Sequence, residues 1–474
     1  MDSYDVLVIG SGPAGVAAAL RAADQGARTA LVTRGAFGGM AANDGPVPVR
    51  TLAHAARLLR EARQLGRYGI VTSEPVVDYP QLLDRVRQVV DEVRRRSAYR
   101  AQIDAAGVTV RDNAGMLRFV APQVVESAGG TRLTARHFIL CTGGVARRLA
   151  VPGGELAATH SDAWSLTAVP ESMLVIGAGA TGAQVASIFH AFGTRVQLFQ
   201  TGPRILPTED EAVSAAMAQA FRDAGIVVHE GLGAVESFEQ AAGGIRMRYS
   251  RGQAHESAEA ALAVLAVGWR ADTADLGLDA AGVELDARGF VRVDAQLRTS
   301  QPHIYAAGDV TGRLMLVPQA LHDGFVAATN ALGGSMAADY SVSPVGSFTD
   351  PEYAQVGLTE TRARAKHDCL VTVVPFDATT RTIIDGRTTG FCKLIVDRPS
   401  GQILGCHIVG ERAVDIVQAA AIAMAGAMPV DRLAFLPISF PTYPGVLARA
   451  AASATRELRL GTDARSARME HYPP

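Results

Sequence analysis

Two sets of three glycines carry the clearest chemical message in this chain. Gly10-x-Gly12-x-x-Gly15 and Gly177-x-Gly179-x-x-Gly182 each stand between a short apolar run and an alanine-rich run. In a strand–turn–helix setting the first glycine allows a tight turn. The second lets backbone approach a pyrophosphate, and the third lets helix pack closely on strand. Pro13 and Ala14 fill the first turn and Ala180 the second. Each helix N-terminus then faces the phosphates with partial positive charge. One such triplet is weak evidence. Two, each followed by a further strand at the right remove (Thr29 to Val32, Arg195 to Phe199), argue for two dinucleotides. The other reading, a duplicated unit that has lost its ligand, fits poorly with the survival of all three glycines in each.

The residues ending those following strands bear on which nucleotide binds. An acid normally holds a ribose hydroxyl there. The first unit has Thr33 and Arg34 instead, and a threonine hydroxyl bonds less strongly than a carboxylate. The second has Gln200 and Thr201, then Arg204. No carboxylate there repels a 2′-phosphate and Arg204 could meet one, so NADPH is mildly favoured over NADH. Arg204 as an ordinary surface arginine is the competing reading.

These motifs must be positioned by an α/β scaffold. At 474 residues the chain has room for roughly two to four domains. With 48% hydrophobic and 19% charged residues, a sizeable core is expected. A net charge of -2 gives no argument for nucleic acid or an anionic membrane. Mean hydropathy is +0.14, but the longest apolar stretch, near Ala419 to Val430, is too short to span a bilayer. A strand starts almost at the N-terminus, leaving no room for a signal peptide, and the chain is read as cytoplasmic. The four cysteines, Cys141, Cys369, Cys392 and Cys406, form no C-x-x-C and are read as buried free thiols, with no metal site. Lysine occurs only at Lys366 and Lys393, against abundant arginine.

Between the glycine motifs, an arginine-rich amphipathic helical region spans roughly Leu52 to Gly66 and Tyr79 to Asp104, its charges expected to face solvent. Strands then alternate with turns to Thr134. An apolar strand runs into Thr142-Gly143-Gly144, and Pro152-Gly153 marks a crossover. Buried strands return from Ala261, including VRVDAQLRTS. Tyr305 to Asp309 places an aspartate at the C-terminal end of a strand, where ligands bind. A helix follows, Ser341 to Pro344 reads as a linker, and the tail after Ala451 shows no clear period.

Taken together, GSGPAG, FGG, CTGG…VPG, GAGATG, AVGWRADT, YAAGDV, FTDPEYAQVGLTE and FPT resemble, in family order, the pyridine nucleotide–disulfide oxidoreductases, the family of glutathione reductase, lipoamide dehydrogenase and mercuric reductase. The resemblance covers roughly Tyr4 to Ala450. It implies two Rossmann-like domains and an α+β C-terminal dimerisation domain, divided as 1–152 and 267–340 for FAD, 153–266 for NAD(P), 341–451 for dimerisation and 452–474 as tail. It implies FAD on Gly10, Gly12, Pro13, Ala14 and Gly15, with Thr33, Arg34, Gly39, Thr142, Gly143 and Asp309 around it. It implies NAD(P)H on Gly177, Gly179, Ala180 and Gly182, with Gln200, Arg204 and Gly268, and a homodimer.

The departures from the family pattern point to the activity. The family's redox-active cysteines are matched by Ala41 and Pro46, within Gly38 to Arg50. Neither side chain can take electrons from flavin and attack a disulfide, which needs a thiolate. The family lysine beside the flavin is matched by Arg50, its acidic partner by Gln184, and the residue gating the nicotinamide by Ala180. The C-terminal His…Glu pair, which serves the thiols of the partner subunit, is matched by Phe440 and Gly445. The expectation is an FAD-dependent NAD(P)H oxidoreductase without dithiol chemistry, passing electrons directly to a small acceptor such as a quinone. Ala41, Pro46 and the partner copy's equivalents of Phe440 and Tyr443 would line an apolar, aromatic pocket. Asn43 and Asp44 are the polar groups nearest the absent thiols, and His54, His322 and Asp323 are weaker candidates. Gly45-Pro46 is expected to interrupt the helix there. A soluble transhydrogenase, an NAD(P)H oxidase, a specialised biosynthetic reductase or dehydrogenase, and a non-catalytic flavin-bearing subunit are the alternatives.

Overall fold

The computed structural model describes residues 2–96 and 99–460. Its first sheet grows from β1 (Asp2–Ile9), which leads through the first glycine turn into α1 (Pro13–Asp24) and back to β2 (Thr29–Val32). β2 and the C-terminal half of β1 are buried on both faces, which is why they read as continuous runs, VLVI in β1 and TALV in β2, with no polar alternation. Four helices then fill the long crossover: α2 (Gly39–Asn43), α3 (Pro46–Gln64), α4 (Tyr79–Arg96) and α5 (Tyr99–Ala105). β3 (Thr109–Arg111), β4 (Leu117–Ala121), β5 (Val124–Ser127) and β6 (Arg132–Leu140) complete the order β3-β2-β1-β6-β5-β4. β1 runs parallel to β2 and β6, whereas β4 and β5 form an antiparallel extension.

A short ribbon strand, β7 (Gly144–Ala146), leads out of this sheet to β8 (Ala158–Thr159) and α6 (His160–Ala163). The second glycine turn joins β9 (Ser172–Ile176) to α7 (Ala180–Ala191). β10 (Arg195–Phe199), α8 (Glu211–Ala224) and β11 (Val227–His229) follow. An antiparallel meander, β12 (Val235–Ala241), β13 (Gly244–Arg251) and β14 (Ala254–Ala260), precedes β15 (Leu262–Leu265). The parallel order is β11-β10-β9-β15-β8. β16 (Trp269–Ala271) then pairs antiparallel with β7, tying the two nucleotide-type sheets together. After α9 (Leu278–Ala281) the chain rejoins the first sheet, where β17 (Ile304–Ala306) adds to β6, and α10 (Val317–Ala331) crosses α1. Gly324 makes that crossing possible, because a Cβ there would lie 2.1 Å from the Ala14 carbonyl oxygen.

The third unit is an antiparallel sheet built from β18 (Val345–Ser347), β19 (Tyr353–Gly357), β20 (Cys369–Pro375), β21 (Phe391–Asp397) and β22 (Ile403–Val409). Its order is β18-β19-β22-β21-β20. α11 (Glu360–Arg364) and α12 (Thr380–Ile384) lie in its connections. α13 (Ala413–Ala425), α14 (Val430–Ala434) and α15 (Gly445–Glu457) follow, α13 and α15 packing on the sheet. The apolar stretch near Ala419 is therefore partly core helix. No helix among the described residues is long and apolar enough to cross a membrane.

Three sequence expectations change. VRVDAQLRTS is not a strand: it turns at Leu297, whose φ is 63°. The last helix continues past Ala451 to Glu457, while the tail residues 461–474 lie outside the described residues. The arginines of α3 do not all face solvent. Arg57 pairs with Glu411 at 2.6 Å and Arg60 with Asp350 at 2.6 Å, so this flank holds the third unit against the first.

Candidate functional site

The two glycine turns are built to one plan. Gly10 (φ 110°) leaves no room for a Cβ, which would sit 2.1 Å from the Cys141 carbonyl oxygen; at Gly177 (φ 97°) the Ala266 carbonyl oxygen is 2.4 Å away. A Cβ on Gly15 would lie 1.8 Å from the Gly10 oxygen, and one on Gly182 would lie 1.8 Å from the Gly177 oxygen. Gly12 and Gly179 are different: nothing lies within 4 Å of the Cβ either would carry. Both are N-caps, of α1 and α7, with no side chain capping the helix. The first-turn N–H groups are thus left for a ligand, and the bare middle glycine opens the way to it. Pro13 costs nothing at the first helical position, where its missing N–H would have been unpaired anyway. This cradle is what a pyrophosphate requires.

Around the first turn, α2 forms a roof. Gly39 (φ 59°) packs so closely that its Cβ would be 2.7 Å from Gly12 Cα. Gly38 donates its N–H to Ser11 Oγ at 3.2 Å. Thr33 is buried at the end of β2, its N–H bonded to the Arg111 carbonyl, and Arg34 reaches Asp272 at 3.5 Å. Thr142 Oγ1 is buried without a hydrogen-bond partner, and Gly143 (φ 79°) faces open space. Asp309 lies at the start of the turn after β17. Burial, with Asp323 close by, pushes its carboxyl up to about 6. Asp323 itself is fully buried and accepts bonds from Gly308 N at 3.3 Å and Tyr340 Oη at 3.0 Å. His322 Nε2, on α10, is also buried and unpartnered. Buried polar atoms seldom go unpaired in a finished structure, so these orphans fit a site made for a polar ligand such as FAD.

The segment carrying Ala41 and Pro46 is broken where the Gly45–Pro46 pair predicts. α2 ends at Asn43, and α3 starts at Pro46. Ala41 is half-buried and Pro46 exposed. No cysteine lies in this segment: all four cysteines are free and buried elsewhere, in β20, β21, β22 and after β6. Asn43 is turned outward: its carboxamide oxygen accepts Arg94 Nε at 2.6 Å. Asp44 accepts Ser161 Oγ at 2.5 Å. Arg50 lies with its guanidinium carbon 3.2 Å from the Phe348 ring centroid, and its Nη1 is buried and unpartnered. Burial lowers this group to about 10, opposed by the Glu352 carboxylate. Gln184 Oε1, on α7, is likewise an orphan. The helices holding Arg50 and Gln184 share one apolar core through Val49, Leu52, Ala53, Ala183 and Ala186. His54 is exposed.

The C-terminal candidates sit apart from this cluster within one chain. Phe440 is 73% exposed. Tyr443 donates to Asp385 Oδ2 at 2.7 Å, with Arg381 5.6 Å from its ring; burial and that carboxylate push the phenol upward. The cleft beside Tyr443 has a volume of about 460 Å³ and is lined by Arg57, Arg381, Asp385 and Arg412 among others. Within a single chain the surroundings of Tyr443 are therefore charged.

At the second turn the side chains differ from expectation. Gln200 Oε1 accepts the Ala178 N–H at 3.0 Å, so it braces the turn itself. Arg204 gives Nη1 to Glu209 O at 3.1 Å and Ser214 Oγ at 2.9 Å, and Nη2 to Pro207 O at 3.1 Å. It closes its own loop, a role that leaves little of its guanidinium for a 2′-phosphate. Ala180 is the first residue of α7, and Gly268 (φ 101°) faces open space. The sequence reading missed Phe348 under Arg50, and it missed the cluster of His160, Ser161 and Trp269 beside Asp44. The only available signal was Trp269 following Gly268.

Residues 4–324 match the family described as pyridine nucleotide-disulphide oxidoreductase, and residues 343–451 match its dimerisation domain. The chain belongs to this family, whose members bind FAD and NAD(P)H. It is similar to mercuric reductase from Lysinibacillus sphaericus, 33% identical over 436 residues, 91% of this chain and 79% of that one. It is also 33% identical over 462 residues to dihydrolipoyl dehydrogenase from Thermus scotoductus, covering 95% of this chain and 97% of the other. Among solved structures, the HOCl-induced flavoprotein disulfide reductase RclA from Escherichia coli shares the fold, with a TM-score of 0.84 at 24% identity over 95% of this chain and 99% of that one.

Proposed function

We propose that this protein is an FAD-dependent NAD(P)H oxidoreductase that delivers electrons straight to a small organic acceptor, a quinone being the best fit. Bound at the first glycine turn, FAD would supply the chemistry, accepting a hydride from the nicotinamide and passing two electrons on. The balanced reaction is NAD(P)H plus a proton plus quinone giving NAD(P)⁺ plus quinol. The observation that carries this reading is the placement of the cysteines. The segment from Gly38 to Arg50 holds none, its one sulfur being the Met40 thioether, and all four cysteines are buried outside it. A disulfide-reducing relay needs an accessible thiolate beside the flavin.

The chain's own residues then have limited tasks. Gly12 and Gly179 admit the two pyrophosphates, and the α1 and α7 N-termini orient them. Thr142, Asp309 and Arg50 offer unpaired or lightly paired polar groups to the flavin-bearing ligand, and Arg50 keeps positive charge where electron density builds. Gln184, neutral, sets no competing charge beside Arg50. Ala41 and Pro46 offer the acceptor an apolar surface, completed in a homodimer by Phe440 and Tyr443 of the other copy. The same reading takes 1–152 with 267–340 as the FAD domain, 153–266 as the NAD(P) domain and 341–451 as the dimer-forming domain. The test is steady-state oxidation of NADH and NADPH by a benzoquinone. Turnover well above that of heat-denatured protein supports the proposal, and its absence with both nucleotides refutes it.

A further inference from the structure

The two glycine turns are covered differently. Gly39 and α2 cover Gly12, but the matching first turn of α7 begins with Ala180, whose methyl covers little. A nicotinamide ring left open to water on one side would be poorly held, because stacking on an apolar surface supplies much of the affinity for flat rings. We propose that Trp269 is that missing surface: its indole packs against the nicotinamide-bearing nucleotide in the second cleft, and His160 holds it in place. This inference rests on the NAD(P)H-binding reading above.

Position is the first argument. The Ala266 carbonyl oxygen is the atom a Gly177 Cβ would strike, so the chain leaving β15 lies against the fingerprint turn. Trp269 is three residues further on, which bounds its backbone to about 10 Å beyond that contact. Gly268 between them has φ 101° and faces open space, as a residue bordering a ligand should. The indole is neither buried nor free: it is half-buried.

Its support is the second argument. The Trp269 backbone is fixed by pairing with Ala146, and Gly268 O accepts Arg147 N–H at 3.0 Å. The His160 ring, 4% exposed, lies 4.6 Å from the indole between centroids, tilted by 60°. His160 Nε2 is 3.4 Å from Ser161 Oγ, and that hydroxyl donates to Asp44 at 2.5 Å. Asp44 terminates α2, the helix seated on Gly12. The indole is thus backed by a chain of contacts reaching the first nucleotide turn, while it stays only half-buried itself. His160 and Asp44 are positioning residues in this scheme.

The chain holds only two tryptophans, which makes the test direct. Trp164 is 6% exposed, lies parallel to Phe189 and leaves its indole N–H unpaired, so Trp164→Phe loses no hydrogen bond. In the Trp164→Phe holoprotein all indole emission comes from Trp269. It should be titrated with NAD⁺ and NADP⁺, which do not absorb that emission, so quenching reports contact. Saturable quenching by either nucleotide is expected. Trp269→Ala should raise the nucleotide Kd, measured by equilibrium dialysis, about tenfold or more, and Trp269→Phe should restore most of it. Retained flavin absorbance checks that each variant is folded. If NAD(P)H bleaches the flavin while Trp269 emission stays constant at saturating nucleotide, or if Trp269→Ala binds as tightly as the parent, the inference is overturned. If no nucleotide binds the parent protein or bleaches its flavin, the NAD(P)H reading falls, and this inference with it.

Discussion

Around Gly10 and Gly177 the backbone meets the same obstacles, a strand-end carbonyl at 2.1 and 2.4 Å from where a Cβ would stand and a turn carbonyl at 1.8 Å from the third glycine. Beyond those atoms the two sites part. The first is roofed by α2 and bordered by the orphan hydroxyl of Thr142. The second spends Gln200 on the turn and Arg204 on its loop, leaves a methyl at Ala180, and keeps one orphan oxygen further along α7, on Gln184. Holding a pyrophosphate is work for backbone geometry and helix ends, and it tolerates little variation. What happens to the rest of the ligand depends on side chains delivered from remote parts of the chain, and there the sites are free to diverge.

The most damaging way to break this comparison is to fill the packed glycines. Gly15→Val should yield colourless protein, because helix and strand can no longer close. Gly182→Val should stay yellow but fail to bleach with NADH or NADPH. If both variants lose flavin alike, the two sites are not independent in the way described. Absorbance of the purified proteins, before and after nucleotide, reads the outcome.

A milder change separates room from packing. Gly12→Ala and Gly179→Ala place a methyl in open space. With the ligands removed, their unfolding transitions should match the parent's, while FAD affinity in the first and NAD(P)H affinity in the second fall by about tenfold or more, since 1.4 kcal/mol is tenfold. Calorimetry together with binding titrations checks both halves.

Each turn also has a raised carboxyl nearby, Asp309 up to about 6 and Glu209 up to about 7. For Glu209, burial is the main cause, against the pull of Thr208 and Arg204. A carboxyl raised in the folded state contributes its full stability below its ordinary value of 4.5, and that contribution is lost as pH rises through about 7. The shift corresponds to about 3 kcal/mol at most. Glu209→Gln should therefore flatten denaturant-measured stability across this pH window.

The smallest expected effect concerns sulfur. Buried thiols react slowly, and none lies at the altered segment. Alkylation of the native protein with a maleimide should leave quinone turnover within about twofold of its starting value. Inactivation paralleling thiol loss would place a cysteine in the electron path.

What could be read from the residues alone follows the same division. The glycine turns, the strand ends at Thr33 and Asp309 and the break at Gly45–Pro46 are local, and each follows from a few neighbours in sequence. The bonds Arg204 makes could not be foreseen, because its partners are two carbonyls of its own loop and the Ser214 hydroxyl, which no sequence pattern announces. The solvated face expected for α3 failed at Arg57 and Arg60, because their partners Glu411 and Asp350 lie hundreds of residues away. Phe348 beneath Arg50, and Trp269 against His160, are contacts between segments with no shared period or motif.

The central claim is that electrons leave the flavin site without a sulfur relay. Anaerobic rapid mixing tests it: holoprotein reduced with one equivalent of NAD(P)H is mixed with a benzoquinone or with an excess of a small disulfide, and flavin absorbance is followed. The account predicts fast, complete reoxidation by the quinone and none by the disulfide. Reoxidation by the disulfide with no response to quinone would contradict it.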